Sequence, residues 1–194
     1  KHAKKINGHF ELILNSSDKI QCKYLINASG LHTEDVANRI EEINLPKIKT
    51  VMYAKGHYYL YKKKNPFKHL IYPLPNSNGH GIHAGMDIEN NLRFGPNAKW
   101  VDSIEYSFDE NTLEEFCNSI KSYWVNFDPS CLSPDYTGIR SKIVAEGEGS
   151  QDFEILDASD HGLENLIHLQ GIDSPGLTSS LSIAAEVISK LGIH

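Results

Sequence analysis

The sequence predicts a mixed α/β (α+β) fold in which an antiparallel sheet is inserted between the two parts of one α/β domain. Residues 20–42 and 165–192 each contain an apolar strand, a turn of small residues and a helical repeat of apolar residues, which is the order of a βα unit. Short alternating stretches separated by Pro, Asn and Gly lie between them and are typical of antiparallel strands. We therefore predict an α/β domain formed by residues 1–46 and 138–194, and a sheet domain formed by residues 47–137.

Composition and charge argue against several classes of partner. The 194 residues carry a formal net charge of −6, so nucleic acid is not an expected partner. The cysteines Cys22, Cys117 and Cys131 lack CxxC spacing and the histidines lack metal-ligand spacing, so we expect neither a disulfide framework nor a metal site. No signal peptide and no apolar stretch long enough to cross a bilayer is visible, so we expect a cytoplasmic protein.

The first α/β part is predicted from its local patterns. "HFELIL" and "IQCKYLINAS" indicate strands joined by the turn "NSSD". Apolar residues from Leu31 to Ile40 recur at helical spacing, and Thr33 is the expected N-cap. The turn between strand and helix is Ala28-Ser29-Gly30. Its glycine lets the backbone approach a flat or phosphorylated ligand, and the alternative is a turn required only for packing.

The inserted part is predicted as strands followed by a helix. Strands are indicated in "VMYAKGHYYLYKKK", "HLIYPLP", "HGIHAGMDI" and "NLRFG". "DENTLEEFCNSIKSYW" places Leu113, Phe116, Ile120 and Tyr123 on one helical face. "DPSCLSPDYTG" is expected to be a turn-rich return to the α/β part.

The chain closes with strand-like stretches and a helix. "IRSKIVAE", "DFEILD" and "NLIHLQG" indicate strands. We expect Ser174 or Thr178 to cap the helix, with Pro175 in its first turn and Gly192 as its stop. The stripe of apolar residues on this helix is Leu177, Leu181, Ala184, Ile188 and Leu191. With Gly176 at its start, the helix N-terminus would admit an anionic or electron-rich group, and the alternative is an ordinary capped helix.

Candidate catalytic and substrate-binding residues lie in the strands. Alternation places His83 on one face with Gly81 and Gly85, which leaves room for a flat ligand beside an imidazole that can act as acid or base. The alternative is a histidine with an internal partner. Arg140 follows an apolar stretch and needs a partner, either a substrate carboxylate or an internal Asp or Glu. Tyr58 and Tyr59 are candidate substrate contacts, with sheet packing as the alternative.

In this order, the stretches resemble the C-terminal half of an FAD-dependent oxidoreductase of the D-amino-acid oxidase superfamily. The likeness is greatest to its L-2-hydroxyglutarate dehydrogenase/oxidase branch. The matching stretches span residues 25–187 and are "INASGLHTEDVA", "KGHYYLY", "LIYPLPNSNGHGIHAGMDIENNLRFGPNAKW", "DYTGIRSKI" and "HLQGIDSPGLTSSLSIAAEV".

The resemblance implies an FAD cofactor and a role for each candidate residue. The closing helix would aim its N-terminus at the pyrimidine edge of the flavin, where N–H groups stabilise the negative charge of the reduced ring. Arg140 would hold a substrate carboxylate, and His83 would take the proton of the substrate hydroxyl. The implied cofactor contacts are Ala28, Ser29 and Gly30 near the dinucleotide portion, and Gly171, Ile172, Ser174, Pro175, Gly176, Leu177 and Thr178 at the flavin.

The resemblance also implies a reaction and an incomplete domain. The reaction is oxidation of a small L-2-hydroxy acid, such as 2-hydroxyglutarate, to the 2-oxo acid. The family begins with a GxGxxG unit that this sequence lacks, so we expect a partial FAD-binding Rossmann-like domain whose exposed sheet edge pairs with a missing N-terminal half or with itself. The alternatives are an amino-acid or glycerol-3-phosphate oxidoreductase, and a non-catalytic or degenerate fragment that needs a separate N-terminal chain. Some family members associate peripherally with membranes, and the resemblance leaves this open for the parent enzyme.

Overall fold

The computed structural model describes residues 2–74, 81–149 and 151–193. Its strands are β1 (His2–Ile6), β2 (His9–Ile13), β3 (Lys19–Cys22), β4 (Leu25–Asn27), β5 (Met52–Tyr61), β6 (Ala84–Met86), β7 (Leu92–Phe94), β8 (Lys99–Val101), β9 (Leu132–Lys142), β10 (Glu154–Leu156) and β11 (Leu166–Gln170). Its α-helices are α1 (Thr33–Ala37), α2 (Leu113–Lys121), α3 (Ala158–His161) and α4 (Gly176–Lys190). Short 3₁₀ helices lie at Gly30–His32, Leu45–Lys47, Glu110–Thr112 and Pro129–Cys131.

The chain divides into two compact units. The α/β unit consists of Lys1–Met52 and Ser141–His194, and the sheet unit consists of Tyr53–Arg140. Both crossings between the units fall a few residues later than the boundaries proposed from the sequence. The mixed α/β class and the antiparallel sheets are confirmed.

The α/β unit contains two three-stranded sheets. One has the order β1-β2-β3 and is antiparallel throughout. The other has the order β10-β11-β4, in which β11 runs parallel to β4 and antiparallel to β10. The single strand predicted for "IQCKYLINAS" is therefore wrong, because this stretch forms β3 and β4 in different sheets. The chain leaves β3 after Cys22, and the Leu25 amide then donates to the Asn165 carbonyl at 2.9 Å beside β11.

The helix after β4 is much shorter than its apolar repeat predicts. A 3₁₀ turn precedes α1, and α1 ends at Ala37. Thr33 does not cap it: the N-cap position is His32, and the Thr33 hydroxyl instead donates to the Leu169 carbonyl at 2.6 Å. The predicted cap is therefore wrong, because this buried hydroxyl ties α1 to β11.

The sheet unit has the strand order β6-β7-β5-β8, and β9 also pairs with β5. One face of this sheet is covered by α2, whose Phe116 and Ile120 are buried in the same cluster as Tyr59 and Phe94. The turn-rich return proposed for "DPSCLSPDYTG" is wrong, because most of it belongs to β9. Of the strand proposed in "HLIYPLP", only Ile71 forms a bridge, to Ala84; Pro75, like Gly79 and His80 of the next stretch, lies outside the described residues.

Candidate active site

One face of the sheet unit carries most of the predicted substrate residues. Gly85 pairs with Arg93, and Arg93 pairs with Leu60, so these three positions share a face. Tyr58 and His83 lie two residues before Leu60 and Gly85 and therefore point the same way. The strand register thus places both predicted residues on one surface.

Tyr59 lies on the opposite face and is part of the core. Its side chain is 1% exposed, and its hydroxyl forms a hydrogen bond of 3.0 Å with Thr112 Oγ1. Its ring packs on Phe116, with centroids 4.6 Å apart. We therefore correct the expectation that Tyr59 contacts a substrate: the packing of α2 determines which of the two neighbouring tyrosines is buried.

Tyr58 connects Arg140 to a second aromatic ring. The Tyr58 ring stacks on Tyr136, with centroids 4.5 Å apart and planes 15° apart. The Arg140 guanidinium donates a hydrogen bond to the Tyr58 hydroxyl, and burial raises the pKa of Tyr58 while Arg140 opposes that rise. A Cβ at Gly138 would meet no described atom within 4 Å. The backbone of β9 is therefore uncrowded at Gly138, two residues before Arg140.

His83 is half-buried and held through its main chain. Its carbonyl accepts a hydrogen bond from the Gly95 amide at 3.0 Å, and the neighbouring Ile82 carbonyl accepts one from the Tyr123 hydroxyl at 3.0 Å. Its ring lies against Tyr72, with centroids 4.2 Å apart. Tyr72 also acts electrostatically on Tyr58 and helps to raise its pKa. This aromatic contact links His83 to the Tyr58–Arg140 pair.

Gly95 has a conformation that only glycine adopts readily. Its φ is +136°, and a Cβ there would lie 2.5 Å from the His57 carbonyl oxygen. The close approach of β7 to β5 at this point therefore requires glycine. Through the Gly95 amide, the same residue anchors the main chain of His83.

Arg93 ties three segments of the sheet unit together. Its guanidinium forms ion pairs with Asp87 and with Asp135. Hydrogen bonds from Asn91, together with those from Arg93, lower the pKa of Asp87 to about 2. Since two carboxylates already neutralise it, Arg93 is a poor candidate for a substrate anchor.

The proposed cofactor residues of the α/β unit share one edge of its sheet. β4 and β11 are parallel neighbours, with Asn27 opposite His168, so the turns that follow them leave the sheet at the same edge. The first turn is Ala28 to Gly30, in which Gly30 has a φ of +58°. The second follows β11 and leads into α4.

The second turn is shaped by close packing and by an ion pair. Gly171 has a φ of +69°, and a Cβ there would lie 2.6 Å from Ile143 Cδ1. Lys142 Nζ lies 2.5 Å from Asp173 Oδ2. These contacts fix the path of Gly171, Ile172 and Asp173 towards the start of α4.

The predicted cap of the closing helix is wrong. The N-cap residue is Pro175, and within the described residues it receives no side-chain capping bond. Thr178 Oγ1 instead donates to the Pro175 carbonyl at 2.9 Å, and Ser174 is exposed. The first turn of this 15-residue helix thus lacks the side-chain acceptor that would compete with a ligand for its N–H groups.

These features fit the flavin cofactor that the resemblance implies. Two turns leave one edge of the sheet, and both are open to solvent, at Ser29 and at Ser174. The second turn leads into the N-terminus of α4, which favours negative charge.

Within the described ranges, no group of three or more His, Cys, Asp or Glu side chains is arranged to hold a metal ion. No described helix is long and apolar enough to cross a bilayer.

A buried polar network lies directly behind the first turn and was not predicted from the sequence. It contains Asn27, Thr33, His168 and Gln170, each at most 3% exposed. The signal that points to it is the pair of polar residues in the otherwise apolar "LIHLQ" of β11, because buried polar groups need partners.

The pKa of His168 predicts a pH-dependent stability. Burial lowers this pKa from 6.5 to about 4, so between these values the unfolded chain binds a proton that the folded chain does not. The stabilisation is complete above about pH 6.5 and is lost as the pH falls to about 4, by about 3 kcal/mol. Urea unfolding of the wild type and of His168→Gln across this window should show a shallower pH dependence for the variant. Parallel profiles would contradict the prediction.

Comparison with known proteins identifies the family. The sequence profile of the DAO family, described as FAD dependent oxidoreductase, matches residues 2–190. The chain belongs to this family. The cofactor expected for it, FAD, is confirmed at the level of the family.

Relatives and solved structures agree with this placement. The chain is 32% identical to an Arabidopsis thaliana protein named L-2-hydroxyglutarate dehydrogenase, mitochondrial, over 86% of this chain and 37% of the relative. It is 28% identical to a glycerol 3-phosphate dehydrogenase of Caloramator mitchellensis, over 92% of this chain and 36% of the relative. The fold matches an FAD-bound L-alpha-glycerophosphate oxidase of Mycoplasma pneumoniae with a TM-score of 0.81 and 17% identity, covering 100% of this chain and 50% of that one. The chain thus spans half or less of the length of these proteins.

Proposed function

We propose that this chain is part of an FAD-dependent dehydrogenase or oxidase that converts a small L-2-hydroxy acid, such as 2-hydroxyglutarate, to the 2-oxo acid. The observation that carries the proposal is the face of the sheet unit on which Arg140 meets Tyr58 and His83 meets Tyr72. Membership of an FAD-dependent family supports it, and so does the similarity to a protein named L-2-hydroxyglutarate dehydrogenase.

Each residue of this face has a definite task in the proposal. The Arg140 guanidinium binds the substrate carboxylate through two parallel hydrogen bonds, and the Tyr58 hydroxyl orients the guanidinium. His83 accepts the proton of the substrate hydroxyl. Tyr72 restrains the His83 ring so that its nitrogen faces the bound substrate. FAD, when bound, would supply the acceptor for the hydride from the carbon that bears this hydroxyl.

The α/β unit would hold the cofactor. We propose that the backbone N–H groups at the start of α4 stabilise negative charge on the reduced flavin. Ala28, Ser29 and Gly30 would lie against the dinucleotide portion. The remaining proposed contacts are Gly171, Ile172, Ser174, Pro175, Gly176, Leu177 and Thr178.

The names of similar proteins support a second class of substrate, one that carries a phosphate. Two similar proteins have glycerol 3-phosphate or glycerophosphate in their names, and a guanidinium binds phosphate as well as carboxylate. In this alternative, Arg140 holds the phosphate and His83 keeps its task. An amino-acid substrate would use the same carboxylate contact.

The exposed apolar surface of the α/β unit favours a partner polypeptide. On α4, Leu177 and Leu181 are 91% and 85% exposed, although the sequence shows them in an apolar stripe. Among the described strands, β4 pairs only with β11, and its Ile26 is 42% exposed. We propose that a separate or preceding N-terminal half, or a second copy, covers this surface. Without such a partner the chain would act as a non-catalytic fragment.

Absorption spectroscopy tests the cofactor and the substrate in one sequence of steps. The purified chain is mixed with FAD, passed through gel filtration, and titrated without oxygen with L-2-hydroxyglutarate or glycerol 3-phosphate. Retained flavin that L-2-hydroxyglutarate bleaches would support the proposal. Bleaching by glycerol 3-phosphate alone would overturn the substrate class. A colourless protein would favour the alternative that the chain is a fragment that needs a partner.

A cytoplasmic location and peripheral membrane association stay predictions.

A further inference from the structure

A continuous chain of buried hydrogen bonds runs from the Ala28–Gly30 turn to the surface of the α/β unit. Asn27 Nδ2 and His168 Nδ1 are 2.9 Å apart, and His168 Nε2 and Gln170 Oε1 are 3.3 Å apart. Gln170 Nε2 donates to Glu154 Oε2 at 2.6 Å, and Glu154 pairs with Lys49. Because Asn27, His168 and Gln170 are at most 3% exposed, water does not compete for the bonds that join these three side chains.

The partners of Asn27 fix the direction of its bond to His168 and of the bond from His168 to Gln170. Its Oδ1 accepts from the Ser29 hydroxyl at 2.6 Å and from the Ser29 amide at 3.4 Å. Its Nδ2 donates to the Thr33 carbonyl at 2.8 Å. The same nitrogen is therefore the donor towards His168, whose Nδ1 must accept. The His168 proton then lies on Nε2, where it meets the Oε1 acceptor of Gln170.

We propose that His168 is a positioning residue that, through Asn27, presets the Ala28–Gly30 turn for the dinucleotide portion of FAD. Asn27 holds both ends of the segment, because it binds Ser29 through its oxygen and Thr33 through its nitrogen. A reversed Asn27 amide would present a donor to the Ser29 hydroxyl and amide. His168 Nδ1, which can only accept in this tautomer, opposes that reversal. The link to FAD rests on the proposed function, whereas the link from His168 to the turn does not.

The test replaces His168 with residues that break or rebuild its two bonds. His168→Leu removes both, whereas His168→Gln supplies an amide oxygen towards Asn27 and an amide nitrogen towards Gln170. Hydrogen exchange of the Ser29 amide in the ¹⁵N-labelled chain reports directly on the orientation of Asn27. We expect His168→Leu to speed this exchange about tenfold and His168→Gln to restore it to within about twofold of the wild type.

His161→Leu is the matched control. His161 is also 0% exposed in the same unit, and its Nδ1 accepts from the Leu163 amide rather than from Asn27. We expect it to lower stability and to leave Ser29 exchange close to the wild-type rate. Equal acceleration by both leucine variants would show a merely structural role and would overturn the proposal.

Two further readouts separate this proposal from the proposed function. Ring-nitrogen chemical shifts of His168 in the unmutated chain should show the proton on Nε2, and a proton on Nδ1 would overturn the proposal even if His168→Leu does not fold. FAD binding, followed by flavin fluorescence, should weaken about tenfold in His168→Leu and recover in His168→Gln. If neither the wild type nor any variant binds FAD, but exchange of the Ser29 amide changes as expected, the cofactor role fails. The role of His168 in positioning the turn then stands.

Discussion

Replacing His83 with asparagine is expected to slow reduction of the bound flavin by L-2-hydroxyglutarate about a hundredfold to a thousandfold. Asparagine keeps the polarity of the position but cannot take a proton, and general-base catalysis contributes an effect of this size. FAD content should not change, because the proposed cofactor residues lie in the α/β unit and His83 in the sheet unit. Single-turnover absorbance changes in the FAD-loaded protein measure the rate.

The control for this prediction is His69→Asn. His69 is an exposed residue of the same unit, and its replacement should leave both the rate and the FAD content unchanged. Equal losses of turnover and of FAD in His83→Asn would mean that His83 supports the fold of the cofactor site rather than the chemistry. That outcome would remove His83 from the proposed mechanism.

Replacing Arg140 with alanine is expected to weaken binding of the hydroxy acid roughly a hundredfold. The variant loses two charge-assisted hydrogen bonds to the carboxylate, which together contribute about 3 kcal/mol. Arg140→Lys should recover only part of the affinity, since an ammonium cannot form the planar pair of bonds. The concentration dependence of flavin reduction gives the apparent dissociation constant in each variant.

The contact between Arg140 and the carboxylate can be isolated chemically. A 2-hydroxy amide lacks the carboxylate, so Arg140→Ala and the wild type should reduce flavin with it at similar, slow rates. Added guanidinium ion should partly rescue the alanine variant with the hydroxy acid. Arg39→Ala, which changes an exposed arginine of the α/β unit, is the control. An unchanged dissociation constant in Arg140→Ala would show that another group binds the substrate.

Local patterns predicted the fold class and several of its strands and helices. The period of apolar residues predicted strands and helices in both units, because burial of one face imposes that period on the sequence. The alternation in "GIHAGM" likewise placed His83 opposite the buried Ile82 and Ala84. Such features depend on residues that are close together in the chain, and the sequence therefore reveals them.

Neighbouring residues with the same chemistry were not distinguished by the sequence. Tyr58 and Tyr59 both appeared as candidate substrate contacts, yet α2 buries Tyr59 and leaves Tyr58 beside Arg140. Thr33 has the character of a helix cap, but its hydroxyl binds the carbonyl of Leu169, 136 residues away. In each case the deciding partner comes from a distant part of the chain.

The fold class, the family and the residue types of the candidate site could all be inferred from the sequence. Which of these residues meet became visible in the folded chain: Tyr58 with Arg140, His83 with Tyr72, and Asn27 with His168, 141 positions apart. Amphipathic periodicity is set within each element, whereas hydrogen bonds and ring contacts between elements depend on how those elements pack.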